Sequence, residues 1–340
     1  MSLPILWFIL VAVLFIGFFF LEGFDFGVGM ATRFVAKKRA ERDQLVRTIS
    51  PFWDGNEVWL LTAGGAIFAA FPHWYATMFS GYYIPLVVVL LALILRGVSF
   101  EFRAKMESET AKNIWDWALF FGSLLPPFLL GVLFTSMVKG MPIDASMNMY
   151  AGFFDYISWY SIVGGIAVTL LCLLHGLNFI SLRTLGEVRE RAAALAKKLY
   201  FLLYGGLVAF ALLTFADTDF FDVRPAVVIA ILAVIVIISL ITHFAVARKK
   251  EAYSFVLSGL TLCLVVVLLF AGLYPRVMIS SIDPAYHITI DMAASSPYTL
   301  GLMTKIALGV LPFVLAYQIW SYYVFRQRVG KNPEIAGESH

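Results

Sequence analysis

Apolar residues do not alternate along this chain or recur at the spacing of a one-faced helix; they run in long unbroken blocks. A bilayer crossing needs about 20 mostly apolar residues, and nine blocks meet or approach that. They cover residues 4–29, 54–71, 76–100, 115–137, 156–182, 199–215, 225–246, 253–274 and 297–325. The second is short and is closed by Pro72; the fourth carries Pro126-Pro127 inside it. The pattern predicts an all-α integral membrane protein of nine transmembrane helices in a single membrane domain.

Polar stretches between the blocks give the orientation. Arg33, Lys37, Lys38, Arg39, Arg42 and Arg47 fill the first connection, and Arg103, Lys105 and Lys112 the third. Arg183, Arg189, Arg191, Lys197 and Lys198 follow in the fifth, and Arg248, Lys249 and Lys250 in the seventh. The tail adds Arg326, Arg328 and Lys331. The alternate connections hold only Lys139, Arg224 and Arg276, while Arg96 and Lys305 lie inside blocks. Basic residues stay on the cytoplasmic side, so the N-terminus is expected outside and the C-terminus in the cytoplasm. The first block lacks a basic leader and a small-residue cleavage site, and reads as a retained span.

Composition agrees: 61% of the 340 residues are hydrophobic and 14% charged, against about 25% charged in soluble domains. The net charge of +3 is explained by membrane orientation, so nucleic acid is not implied as a partner. Cys172 and Cys263 sit in separate apolar runs, without the spacing of a zinc or haem-attachment motif.

Candidate chemistry lies in the acids. Glu22 and Asp25 close the first block within Gly23-Phe24-Asp25-Phe26-Gly27-Val28-Gly29, and Asp54 and Glu57 open the second within Pro51-Phe52-Trp53-Asp54-Gly55-Asn56-Glu57. Each pair is three residues apart, on one helical face. The expected topology puts all four at the cytoplasmic side of one hairpin. Ionisable groups at membrane depth are costly and mark ion or proton paths; interfacial wetting is the plainer reading of any one alone. Arg96, in the third span, must pair or snorkel, and a structural ion pair with one of these carboxylates is expected. Asp116, between Trp115 and Trp117, begins the fourth span on the same side. His175 and His243 fall in cytoplasmic halves of two spans, where facing imidazoles could ligate a haem, but a lone membrane histidine more often bonds across helices.

These stretches resemble subunit II of bacterial cytochrome bd quinol oxidases. The likeness rests on GFDFGVG (23–29), PFWDGNEVWL (51–60), GGAIFAAFP (64–72), RGVSFEFR (96–103) and WDWALFFGSLLPP (115–127), and covers essentially the whole chain. It implies two four-helix bundles, residues 4–137 and 156–274, plus a peripheral ninth helix, 297–325. It implies a multi-pass protein of the bacterial plasma membrane, partnered by a subunit I that reduces oxygen to water. That partner would hold the quinol and haems b and d (or b in place of d), leaving this chain without a cofactor of its own. A small single-helix subunit and membrane lipid are further expected neighbours. The part implied for this chain is to stabilise subunit I and deliver cytoplasmic protons, with Asp25 and Asp54 at the family's acidic positions. Glu57 stands where the family commonly has Gln, and Glu101 where Asp is common; both join the expected proton pathway. Glu22, Arg96 and Asp116 are expected as ion-pair or supporting residues. A proton-coupled secondary transporter is the alternative, since intramembrane Arg96, Asp25 and Asp54 would suit it equally; a pure scaffold is the third reading.

Overall fold

The computed structural model describes residues 1–330, so Lys331 and His340 lie outside the described part. Each apolar block is helical, though the third, 76–100, is divided at Tyr82 between two helices. Helix α1 covers Leu3–Phe34, α2 Arg39–Ile49, α3 Trp53–Ala70, α4 Pro72–Gly81, α5 Tyr83–Lys105 and α6 Glu109–Lys139. Beyond an irregular connection come α7 (Trp159–Arg183), α8 (Glu187–Asp217), the short α9 (Phe220–Val223), α10 (Pro225–Ala247) and α11 (Glu251–Leu273). Strands β1 (Arg276–Met278) and β2 (Ile288–Thr289) pair antiparallel, and α12 (Ile290–Ala293) leads into α13 (Pro297–Val324).

Eight helices among the described residues are long and apolar enough to cross a membrane: α1, α5, α6, α7, α8, α10, α11 and α13. Helix α3 fills the place of the second expected span but falls short in apolarity. It has 18 residues, and Asp54, Asn56 and Glu57 crowd its first two turns. The short polar α2 was not expected; it turns Leu45 and Ile49 inward and covers one end of the helices.

Helix α1 is the hub. It packs against α3 and α6 on one side and α7 and α11 on the other. The crossing with α7 is possible because both helices present glycine there: a Cβ on Gly27 would lie 2.7 Å from the Cα of Gly176 and collide with the Cys172 carbonyl. Small residues permit such backbone approach, which is what drives helix association where apolar burial brings no gain. Helix α13 lies outside, against α1 and α3, and Leu300 is its only buried residue. Trp7 ties its start by donating to the Leu300 carbonyl (3.2 Å) and Thr304 Oγ1 (3.0 Å).

The connections rich in Arg and Lys gather at one end, called here the basic end. There the stretch after α13 is threaded under α2: Gln44 donates to the carbonyls of Val329 (2.7 Å) and Leu185 (3.0 Å), and Arg47 to that of Gly330 (2.9 Å).

Candidate functional site

Near the basic end, α1 places Glu22 and Asp25 one turn apart, and neither is accessible to solvent. Helix α5 supplies Arg96, also fully buried, which pairs with Glu22. Its Nη1 lies 3.7 Å from Glu57 of α3, a partly exposed carboxylate. The guanidinium rests over Phe26 at 4.8 Å and Phe100 at 5.7 Å, an attraction that strengthens on desolvation. Gly122 of α6 makes room for this arrangement, since a Cβ there would stand 2.7 Å from that of Arg96.

Asp25 is bonded differently. Its Oδ2 accepts from Asn56 Nδ2 at 2.7 Å, and its Oδ1 has no hydrogen-bond partner among the described residues. Asn56 in turn accepts from Tyr322 (2.8 Å) and Gln318 (3.2 Å) of α13, and Gln318 accepts from Trp59 Nε1 (3.0 Å). One cation therefore faces three carboxyl groups, Glu22, Asp25 and Glu57. Uncompensated buried charge is expensive, so the three carboxyls compete for Arg96.

The remaining expected residues lie outside the buried core of this cluster. Asp54 is exposed on the first turn of α3, its Oδ1 accepting from the Gly55 N–H at 2.8 Å; a carboxylate suits that end of the helix dipole. Glu101 is exposed on α5, 3.9 Å from Lys105 and outside the buried cluster. Asp116 is buried and holds three arginines: Arg103 at 2.5 Å, Arg39 at 2.6 Å and Arg42 at 3.3 Å. It fastens α2 to α5 and α6. Outside the spans, Glu41 of α2 is enclosed, which alone would favour its neutral form. Arg191 at 2.6 Å and the N–H groups of Lys37 and Lys38 outweigh this and hold the carboxyl down at about 2.

The histidines have protein partners. His175 bonds Ser258 Oγ (2.8 Å) through one ring nitrogen and the Phe20 carbonyl (2.9 Å) through the other, and stacks on Phe255. His243 bonds the Tyr204 hydroxyl at 2.9 Å. With both nitrogens of His175 engaged, this pair does not fit haem ligation. No cluster of metal-ligating side chains occurs among the described residues.

Three features were not picked out from the sequence. Asn56 lies between two acids, and its signal is only that an Asn in a membrane segment hydrogen-bonds across helices. Gln318 and Tyr322 sit in a helix read only as peripheral. An internal echo also went unnoticed: Leu21-Glu22-Gly23-Phe24-Asp25-Phe26 in α1 is matched by Leu174-His175-Gly176-Leu177-Asn178-Phe179 in α7. His175 and Asn178 stand where Glu22 and Asp25 do, and both are buried.

Comparison with known proteins decides the family. The profile of cytochrome bd terminal oxidase subunit II matches residues 3–325. The chain belongs to that family. The cytochrome bd ubiquinol oxidase subunit 2 of Bacillus subtilis is 56% identical over 96% of this chain and 97% of its own. The cytochrome bd-I ubiquinol oxidase subunit 2 of Escherichia coli K12 is 35% identical over 99% and 98%. A chain of the bd oxidase from Geobacillus thermodenitrificans has the same fold, with a TM-score of 0.75 at 17% identity over 95% of this chain and 99% of that one. As a subunit II, the protein is part of an oxidoreductase complex, a multi-pass component of the bacterial cytoplasmic membrane.

Proposed function

We propose that this chain is the second subunit of a quinol oxidase that reduces oxygen to water, and that it feeds cytoplasmic protons to a haem site in its partner. The haems b and d (or b in place of d) and the quinol belong to that partner, subunit I; this chain carries no cofactor. The basic end is the cytoplasmic end, and α3 counts as a span, giving nine with the N-terminus outside. Residues 4–137 and 156–274 form the two bundles and 297–325 the peripheral helix. The expected lipid and small single-helix subunit would lie against the exposed outer faces.

The observation that carries the reading is the fully buried pair Glu22 and Asp25, sharing one cation with Glu57. The α7 echo supports it. There the same turn packs at full burial with neutral groups, His175 on Ser258 and Asn178 on Tyr200. Packing alone does not require acids at these positions, so a pure scaffold leaves their charge unexplained. Asp54, exposed on α3, would collect protons and pass them by way of Glu57 and the buried pair. Glu101 would act only at the rim. Arg96 holds the inner carboxyls in place, and Asp116 fixes the surrounding helices. Family membership removes the case for a separate proton-coupled transporter.

The test uses the assembled oxidase. Asp25→Asn and Asp54→Asn are expected to slow oxygen consumption by about a hundredfold or more, the lower end of what a positioned proton-transfer group contributes, with haem content unchanged. Normal turnover in both variants overturns the proton-supply role.

A further inference from the structure

We propose that α13 sets the reactivity of the acidic cluster, with Tyr322 and Gln318 as positioning residues that act on Asp25 through Asn56. This rests on the proton-supply reading above and extends it to a helix otherwise peripheral.

The argument begins with the amide of Asn56, which is buried between α1, α3 and α13. An amide group has one acceptor end and one donor end. Tyr322 O–H at 2.8 Å and Gln318 N–H at 3.2 Å both point at the Asn56 oxygen. With two donors on that oxygen, the NH2 group must face the other way. It donates to Asp25 Oδ2 at 2.7 Å and to the Leu21 carbonyl at 3.4 Å. Gln318 is itself oriented, because its own oxygen accepts from Trp59 Nε1 at 3.0 Å. The chain of bonds runs from Trp59 through Gln318 and Asn56 to Asp25, with no choice of direction left at any link. Asp25 is held as an acceptor through Oδ2, and Oδ1 remains open to take a proton.

Helix α13 has little else to seat it here. Its outer surface is exposed along nearly the whole length. Tyr322 is the exception near its end: the ring stacks on Phe52 with centroids 4.4 Å apart and meets Phe24 edge-on. The stacking fixes where the hydroxyl points, and Phe52 immediately precedes α3. Hydrogen-bonded side chains that orient a reacting group are as much part of a site as the group itself. Releasing the Tyr322 hydroxyl would let the Asn56 amide turn and offer its oxygen to Asp25. Only a protonated Asp25 can bond to that oxygen, so the proton would be trapped instead of passed on.

The ionisable groups around Asp25 are Glu22 on α1, Asp54 and Glu57 on α3, Arg96 on α5 and Tyr322 on α13, with Arg183 of α7 beside Tyr322. Apart from Tyr322 itself, all of them are left unchanged in the two α13 variants. Tyr322→Phe keeps the ring on Phe52 and removes one donor; Gln318→Met removes the other. Both are made in the complete oxidase, with Asp25→Asn alongside. Quinol oxidation is followed across pH at saturating quinol, together with KM and haem content.

The expected result is a loss of kcat of about five- to tenfold in Tyr322→Phe, the size of one lost hydrogen bond, with KM and haem content unchanged. The loss is greatest at low and neutral pH, where the trapped proton is held, and narrows as pH rises and draws it off. Gln318→Met gives a smaller loss of the same kind. A normal pH profile in both variants, while Asp25→Asn is slow, overturns the positioning role and leaves proton supply standing. A loss equal at all pH values, or one matched by loss of haem, reduces the α13 contacts to packing. If Asp25→Asn turns over normally, the positioning role falls, and Asp54→Asn then decides the proton-supply reading.

Discussion

Arg96 on α5 and Glu22 on α1 form an ion pair from which solvent is wholly excluded, 74 residues apart in sequence. Removing Arg96 strands Glu22, whereas removing Glu22 leaves Arg96 with Glu57 at 3.7 Å. Arg96→Met leaves Glu22 and Glu57 without their cation and is expected to cost about 3–5 kcal/mol, the usual penalty for breaking a buried pair. Thermal melting of the detergent-purified complex measures it. Adding Glu22→Leu to the same chain should recover much of the loss, because two apolar groups there no longer bury a lone charge.

Glu41 provides a pH test outside the spans. Its carboxyl is held at about 2 in the folded protein against an ordinary 4.5. A depressed value stabilises the fold fully above the unfolded value, and the benefit is lost as pH falls through the folded one. Amide protection factors in α2 should therefore decline between about pH 4.5 and 2. Glu41→Gln should start lower at neutral pH and show no such decline. An identical decline in the variant would assign the transition to another group.

The α1–α7 crossing is tested by size. Gly27→Val puts side-chain atoms where Cys172 and Gly176 backbone already stands, and overpacking of that kind costs about 1–3 kcal/mol or more. Yield of assembled, haem-replete complex should drop sharply. Gly205→Ala on α8, where nothing lies within 4 Å of an added Cβ, should leave yield unchanged.

The positions of the long helices were legible because lipid imposes one simple demand, an apolar run of sufficient length. What lies outside lipid was less so. Helix α8 begins at Glu187, well before its apolar run at 199, because its first turns project from the basic end and carry Arg189, Arg191 and Glu190. Helix α2 hid in a basic connection whose charges are explained by orientation alone. At the site, the spacing of Glu22 with Asp25 marked a shared face, and both are buried on α1. Spacing could not show that Arg96 meets Glu22 or that Asn56, not an acid, meets Asp25. It could not place Glu101 on the outer face of α5 either. Those depend on which helix faces which, and hydropathy blocks carry no such information.

The central place of α1 has a consequence for biogenesis. Made before the other helices described, it carries two acids into the bilayer before α5 brings their counter-ion or α7 the glycine seam on which it rests. Before α5 is made, only α2 and α3 are there to pack against it. Glu22 and Arg96 stand 74 residues apart, so the ion pair that closes this packing forms only after α5 has followed α1 into the bilayer.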